Sequence, residues 1–203
     1  MKIIAIGRNY AAHAKELNNE IPGKPVIFMK PDTAVLKENK PFYIPDFSSD
    51  IHFEVEVVLK ICKEGKHIAE KFAPKYYEEI GLGIDFTARD VQAEHKAKGL
   101  PWELAKAFDH SAAISHFVPK DQFADLYQLS FDLKINDVTR QAGNTSNLLF
   151  SFEKIIAFVS QYITLKKGDL IFTGTPEGVG PVKAGDHLTA RLEGIELLDF
   201  NIK

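Results

Sequence analysis

Short runs of β-branched and aromatic residues, each bounded by Gly, Pro, Asn or Asp, recur from one end of this chain to the other: 2–6, 26–29, 53–61, 131–135, 169–172, 187–192 and 195–202. That punctuation is the signature of strands. Helical periodicity is scarcer, at 11–17, 88–98 and 152–162. In the last of these Ile155, Ile156, Val159 and Tyr162 share a face, and Ser151 and Lys154 stand where a helix would begin. Strands therefore outnumber helices and do not alternate with them as a doubly wound sheet requires, which predicts a strand-rich α+β fold. A chain of 203 residues can bury roughly 70% of its unfolded surface and needs no covalent staple. No repeat, low-complexity tract or linker divides it, so residues 1–203 are expected to form one domain, with residues 1 to about 45 as a smaller amino-terminal lobe. Two stretches are rich in turn residues: 18–24 (NNEIPGK), a candidate flap, and 173–183 (TGTPEGVGPVK). Loops of this composition often line sites.

Charge narrows the possible partners. The 25 Lys and Arg are interleaved with 28 Asp and Glu, for a net charge of -3, so no basic stripe exists to neutralise phosphates and nucleic acid is not an expected partner. The apolar opening MKIIAIG meets Gly7 and Arg8 long before the ~18 residues of a membrane span, and too early for a secretory leader. The single cysteine, Cys62, forms no intramolecular disulfide and no Cys-based zinc site. Its solitude suits a reducing compartment, and a cytoplasmic location is expected.

Chemistry enters with the segment 51–59, IHFEVEVVL. As a strand it sends His52, Glu54 and Glu56 to one face and Phe53, Val55 and Val57 to the other. The second set reads as core. On the first, two carboxylates about 7 Å apart repel unless a cation lies between them, and leaning together they can share one hard divalent ion. The alternative is a solvated face, the ordinary fate of Glu-x-Glu. A further acid comes from 83–90, GIDFTARD, where a short apolar strand ends in Asp85 and a helix is expected near Thr87; Asp85 is either a helix cap or a group aimed into a cleft. Three oxygen donors with open positions suit Mg²⁺ or Mn²⁺ better than zinc. Lys106, flanked by Leu104, Ala105, Ala107 and Phe108, is either a snorkelling surface residue or a buried charge facing those acids. His13 and Glu16 are three apart in a helical stretch and so lie side by side, as a surface pair or as a dyad in which the carboxylate fixes the imidazole tautomer for activating water.

Six stretches, IGRNYAAHAKE (6–16), PVIFMKP (25–31), HFEVEVVL (52–59), GIDFTARDVQ (83–92), KGLPWELAKAFD (98–109) and LIFTGTPEGVGPV (170–182), span nearly the whole chain. Together, and in this order, they resemble the fumarylacetoacetate hydrolase family, most of all its small acylpyruvase and oxaloacetate decarboxylase group. The resemblance implies a mixed β roll of layered sheets, usually a homodimer with its site near the subunit interface. It implies that Glu54, Glu56 and Asp85 hold Mg²⁺, or alternatively Mn²⁺, that Lys106 is the active-site lysine, and that His13 and Glu16 form a lid pair. Arg8 and Tyr10 resemble the contacts to the 2-oxo acid, Lys30 the loop lysine, Arg89 and Gln92 the polar contacts after the aspartate, and Gly174 and Thr175 the glycine-rich loop. The larger family members carry an extra amino-terminal domain that is not expected here, so their bulky diketo substrate is not expected either.

The implied activity is metal-dependent cleavage of a C–C bond in a short 2-oxo acid, by acylpyruvate hydrolysis, oxaloacetate decarboxylation or both. The alternatives are an isomerase, tautomerase or hydratase of a 2-oxo or enol acid on the same scaffold, or a catalytically silent member. A His/Glu dyad favours water activation over pure isomerisation.

Overall fold

The computed structural model describes residues 1–17 and 19–203. In chain order the elements are β1 (Ile3–Ile6), α1 (Ala11–Glu16), β2 (Ile27–Lys30), β3 (Val35–Leu36), β4 (Ile51–Phe53), β5 (Val55–Ile61), β6 (Tyr77–Asp85) and β7 (Thr87–Ala88). They continue with α2 (Arg89–Lys98), α3 (Glu103–Lys106), β8 (Ala112–Ile114), β9 (Val118–Pro119), β10 (Ser130–Ile135), β11 (Val138–Asn144), α4 (Phe152–Tyr162), β12 (Leu170–Phe172), β13 (Gly180–Pro181), β14 (His187–Leu192) and β15 (Ile195–Asn201). The architecture is strand-rich α+β, as expected.

Three sheets are layered on one another. The largest runs β2-β1-β12-β5-β6-β8-β3 with β9 added on β6, the second runs β11-β10-β14-β15, and a small third runs β13-β4-β7. The large sheet is mixed: β1 lies parallel to β12 and β3 parallel to β8, and the other neighbours are antiparallel. Both of its faces are covered. Ile4, Val57, Leu59 and Ile171 point into the larger core, while Ile3, Ala5, Val58 and Phe172 fill a second apolar layer on the other side. That explains why 53–61 reads as nearly continuous hydrophobic sequence rather than a clean alternation.

The amino-terminal residues do not stand apart as a lobe. β1 is an interior strand between β2 and β12, and Phe42 forms a bridge to Ile202. Helix α4 spans the expected 152–162, and of the face expected from the periodicity only Tyr162, at its last position, is exposed. Ser151 caps it by accepting the Lys154 N–H, and Ile155, Ile156 and Val159 are fully buried. Each of those side chains contributes about 1.5–3 kcal/mol by leaving water.

Two departures from the sequence pattern bear on function. The expected strand 53–61 is broken at Glu54, which belongs to neither β4 nor β5, and the helix expected near Thr87 begins only at Arg89 because Thr87–Ala88 first pair with β4. In both places the chain changes sheets. Of the candidate flap 18–24, Asn18 lies outside the described residues, and 19–24 carry no regular element.

Candidate functional site

The site lies where the large sheet hands over to the small one. In the β5–β6 ladder Val55 pairs with Ile84 and Glu56 with Gly83, and one step further the Asp85 N–H donates to the Glu54 carbonyl at 2.8 Å. Antiparallel pairing thus brings two acids that open one strand against the acid that closes its neighbour. Carboxylate oxygens of Glu54, Glu56 and Asp85 all lie within 4.8 Å of one another, and all three residues are buried.

Like charges buried at that range need compensation. Part of it comes from Lys106, the last residue of α3. Its Nζ donates to Glu54 Oε2 at 2.7 Å, Asp85 Oδ2 at 2.7 Å and Thr87 Oγ1 at 2.6 Å, and it lies 5.1 Å from the centre of the Phe28 ring. Burial alone would lower the Lys106 pKa, but the charges of Asp85 and Glu54 outweigh it and hold it above the usual lysine value. The snorkelling alternative therefore does not apply: Lys106 is 3% exposed.

Arg89 donates from Nη2 to Glu54 Oε1 at 2.6 Å and from Nη1 to Gln92 Oε1 at 2.7 Å. Against the burial that would raise its pKa, Glu54 is held well below the carboxylate range by Lys106, then Arg89, then His13.

Glu56 has less help. It accepts one N–H, from Gly174 at 2.6 Å, and burial together with the charges of Asp85 and Glu54 pushes its pKa well up. The Gly174 contact depends on a backbone that only glycine adopts easily: its φ is +106°, and a Cβ there would lie 2.6 Å from the Asn9 Cβ. Asn9 closes this corner by bridging Phe150 and Thr173, donating to Thr173 O at 2.7 Å. Nothing in the sequence pattern singled out Asn9.

Asp85 Oδ1 completes the picture. The Lys30 ammonium lies 2.7 Å from it, yet the approach is off the hydrogen-bond direction and the oxygen has no hydrogen-bond donor. An under-satisfied buried carboxylate oxygen, beside a second carboxylate that resists ionisation, is what a hard divalent cation would complete. The donor set fits such an ion: oxygen only, three carboxylates, no nitrogen or sulfur.

The remaining sequence candidates divide. Lys30 ends strand β2 rather than sitting in a loop. It is fully buried, and its ammonium is taken up by Lys106 O, Ser111 O and Ser111 Oγ besides Asp85, so it braces the acid instead of facing a ligand. The Thr175 hydroxyl is likewise engaged, donating to Val55 O at 2.8 Å and accepting from Gln141 Nε2 at 2.8 Å. Gln141, another residue without a signal in the sequence, also accepts the Val55 N–H at 2.9 Å and so pins the backbone between the two glutamates. Tyr10 is buried, edge-on to Phe131, and burial followed by the charges of Glu56 and Glu177 keeps its hydroxyl protonated.

His13 is buried on α1, with Nδ1 3.1 Å from Glu16 Oε2, while Glu16 Oε1 accepts the Gly178 N–H at 3.0 Å. His13, Arg8, Gln92, Glu54 and Lys106 line one cavity of about 20 Å³, room for a single water. A wider cleft of about 500 Å³, between Phe53, Arg140 and the β13 strand, touches none of the three acids.

The chemistry is therefore concentrated in a small cavity rather than in that wider cleft. The family model for the fumarylacetoacetate hydrolase C-terminal region matches residues 2–203. The chain belongs to that family. Among its relatives, the oxaloacetate tautomerase FAHD1, mitochondrial, of Mus musculus is 45% identical over 99% of this chain and 91% of its own length. The mitochondrial oxaloacetate decarboxylase of Dictyostelium discoideum is 44% identical over 99% and 93%. The crystal structure of fumarylpyruvate hydrolase from Pseudomonas aeruginosa, in complex with Mn²⁺ and pyruvate, superposes with a TM-score of 0.94 at 32% identity, covering 100% of this chain and 89% of that one. Among the described residues no helix is long and apolar enough to cross a membrane.

Proposed function

We propose that this member of the fumarylacetoacetate hydrolase family is a divalent-metal-dependent enzyme that cleaves the bond beyond C3 of a short 2-oxo acid, hydrolysing acylpyruvates, decarboxylating oxaloacetate, or both. The observation that carries it is the buried trio Glu54, Glu56 and Asp85, in which Asp85 Oδ1 has no hydrogen-bond donor. Those three residues would hold Mg²⁺ or Mn²⁺; the Mn²⁺ and pyruvate of the Pseudomonas relative support the choice of a hard cation and a 2-oxo acid. Such an ion supplies Lewis acidity toward the oxygens of the 2-oxo acid.

The chain's own groups do the rest. Lys106 places a buried ammonium where negative charge gathers as the C–C bond breaks. With Nδ1 engaged by Glu16, His13 Nε2 is the nitrogen left to take a proton from water. The water oxygen then attacks the acyl carbon, the bond to C3 breaks with its electrons going to the pyruvate half, and a proton returns to C3. Loss of CO₂ from oxaloacetate needs no water, so His13 is not required for that step. Arg89 and Gln92 border the cavity and orient the acid, and Arg8 faces the tail. Gly174 and Thr175 act indirectly, by fixing Glu56 and the backbone at Val55. We infer that α1 moves to admit substrate, the lid role that the family resemblance implies for His13 and Glu16.

A second reading is keto–enol tautomerisation of oxaloacetate, favoured by the names of the mouse relative and the Escherichia coli relative. It uses the same groups without water. We further infer that residues 1–203 work as one catalytic unit, that the enzyme is a homodimer, as the family resemblance implies, and that it is cytoplasmic, as the single cysteine suits. The test is a paired assay of metal-stripped protein on acetylpyruvate and oxaloacetate, with and without Mg²⁺ or Mn²⁺, following diketo absorbance, enol absorbance and pyruvate. Metal-dependent release of pyruvate from either compound is expected. Enol–keto interconversion without pyruvate would move the assignment to tautomerase, and failure to bind either metal would overturn the metal-site reading.

A further inference from the structure

The loop from Gly174 to Gly178 holds two acids at once. Its first N–H, on Gly174, donates to Glu56 Oε2 at 2.6 Å, and its last, on Gly178, donates to Glu16 Oε1 at 3.0 Å. Glu56 belongs to the acid trio, whereas Glu16 holds His13 Nδ1 through its other oxygen. One short loop therefore sets the direction of a carboxylate on each side of the cavity.

The loop is itself fixed by a third element. Gln141 lies on β11, an edge strand of the four-stranded sheet, and it is the one residue of that strand to be buried, at 1% exposure. Its Oε1 accepts the Val55 N–H at 2.9 Å, while Nε2 donates to Thr175 Oγ1 at 2.8 Å and to Pro176 O at 2.9 Å. Both donors and the acceptor are in use, so turning the amide over would set N–H against N–H at Val55 and oxygen against oxygen at Pro176. Thr175 closes the triangle by donating to Val55 O at 2.8 Å. Beside Gln141 the β10–β11 register slips: Leu133 pairs with Gln141 but Lys134 with Thr139, which leaves Arg140 as a bulge. The Arg140 carbonyl then faces Gly178, where φ is +94° and a Cβ would run into that oxygen. The middle and the far end of the loop thus rest on β11.

We propose that Gln141 is a positioning residue that couples the cation site to the His13–Glu16 pair through this loop. It bonds none of the three acid side chains and acts through Val55, Thr175 and Pro176. The proposal rests on the reading of Glu54, Glu56 and Asp85 as a divalent-metal site. A cation that draws Glu56 into place also orders Gly174, and that order passes along the braced loop to Gly178 and the end of α1. With the brace removed, the loop shifts between its ends and the two acids are oriented independently.

The test combines Mn²⁺ titration calorimetry with hydrogen exchange, read by mass spectrometry, over residues 11–17 of the full chain, where the Ala14 and Leu17 N–H groups close the turns of α1. In wild type, Mn²⁺ is expected to slow exchange there at least about fivefold. Gln141→Met and Thr175→Val should each weaken Mn²⁺ binding about tenfold and, at saturating Mn²⁺, abolish the slowing, whereas Thr175→Ser, which keeps the hydroxyl, should retain both. The two disruptive variants cut the same bond from opposite ends, so either one that folds decides the outcome. A merely structural role would speed exchange equally in the metal-free and loaded variants and preserve the Mn²⁺ effect, which would overturn the coupling. Absence of slowing in wild type that does bind Mn²⁺ would overturn it too, while leaving the metal site in place. Failure of wild type to bind Mn²⁺ would overturn both.

Discussion

On the sheet side of the cavity, Glu54, Glu56, Asp85, Lys30 and Lys106 are all buried and joined through the β5–β6 ladder, Thr87 and Ser111. On the helix side, α1 is six residues long, too short to be stable alone, and its Glu16 is tied to the rest by the Gly178 N–H. The two sides serve one site by opposite means. Electrostatic stabilisation needs groups that cannot reorganise, which a sheet supplies, whereas a group that delivers water and admits substrate has to move. The comparison also explains a stability cost: the sheet side buries five ionisable groups with one oxygen left unsatisfied, while α1 buries one, His13.

The sharpest way to break this contrast is to remove a brace that never meets the substrate. Lys30→Met leaves Asp85 with one fewer cation and strands the Ser111 and Lys106 acceptors in the interior. Breaking a buried pair from one side costs about 3–5 kcal/mol, which for a chain of this size lowers the melting temperature by about 10 °C. A calorimetric shift below 2 °C would show that the Lys30 charge is dispensable and that the sheet side is no more rigid than the other.

Next comes Lys106→Met, which removes the ammonium shared by Glu54 and Asp85. Turnover should fall by about 10²–10³, the range for losing a preorganised charge donor, and the metal-free protein should gain more melting temperature from Mn²⁺ than wild type does. Undiminished kcat would remove Lys106 from the chemistry and leave it as structural support. On the helix side, His13→Ala is expected to lower acetylpyruvate hydrolysis by about 10²-fold while changing oxaloacetate decarboxylation less than about threefold and the melting temperature hardly at all. Equal loss of both activities, read in the same assay, would erase the division of labour between the two sides.

How much of this could be read from the chain alone follows the same division. Sheet-side acids are legible because strand alternation is strict: Glu54 and Glu56 fall two apart, and Asp85 ends an apolar run. Helix α4 is legible because its apolar face, cap and length agree. What the pattern hides is anything that depends on a change of sheet. The break at Glu54 and the two-residue β7 are decided by pairing with β4, a tertiary contact with no local signal. Gln141 acts on Thr175 and Val55, 34 and 86 positions away, and Asn9 on Phe150, 141 positions away, so no spacing rule reaches them. Lys30 was legible as a site residue but not as a brace, since a lysine ending an apolar strand looks the same whether it faces ligand or protein.

The subtlest prediction concerns Glu56, where function and stability pull apart. Its folded pKa is raised above 4.5 by burial and by Asp85. A group of that kind contributes stability below its unfolded pKa, and the contribution is lost as pH rises through the folded value. Above the unfolded value that cost is present in the metal-free protein, and a bound cation relieves it. Glu56→Gln cannot ionise, so it escapes the cost: the metal-free variant should melt a few degrees higher than wild type at pH 8, the gap closing as pH falls toward 4.5. The same variant should lose most Mn²⁺ affinity and with it the metal-induced rise in melting temperature. A Glu56→Gln protein that melts lower than metal-free wild type at pH 8 would mean that the Gly174 N–H already satisfies the carboxylate. The sheet side would then be stable by its own hydrogen bonds, and the case for a cation would rest on Asp85 alone.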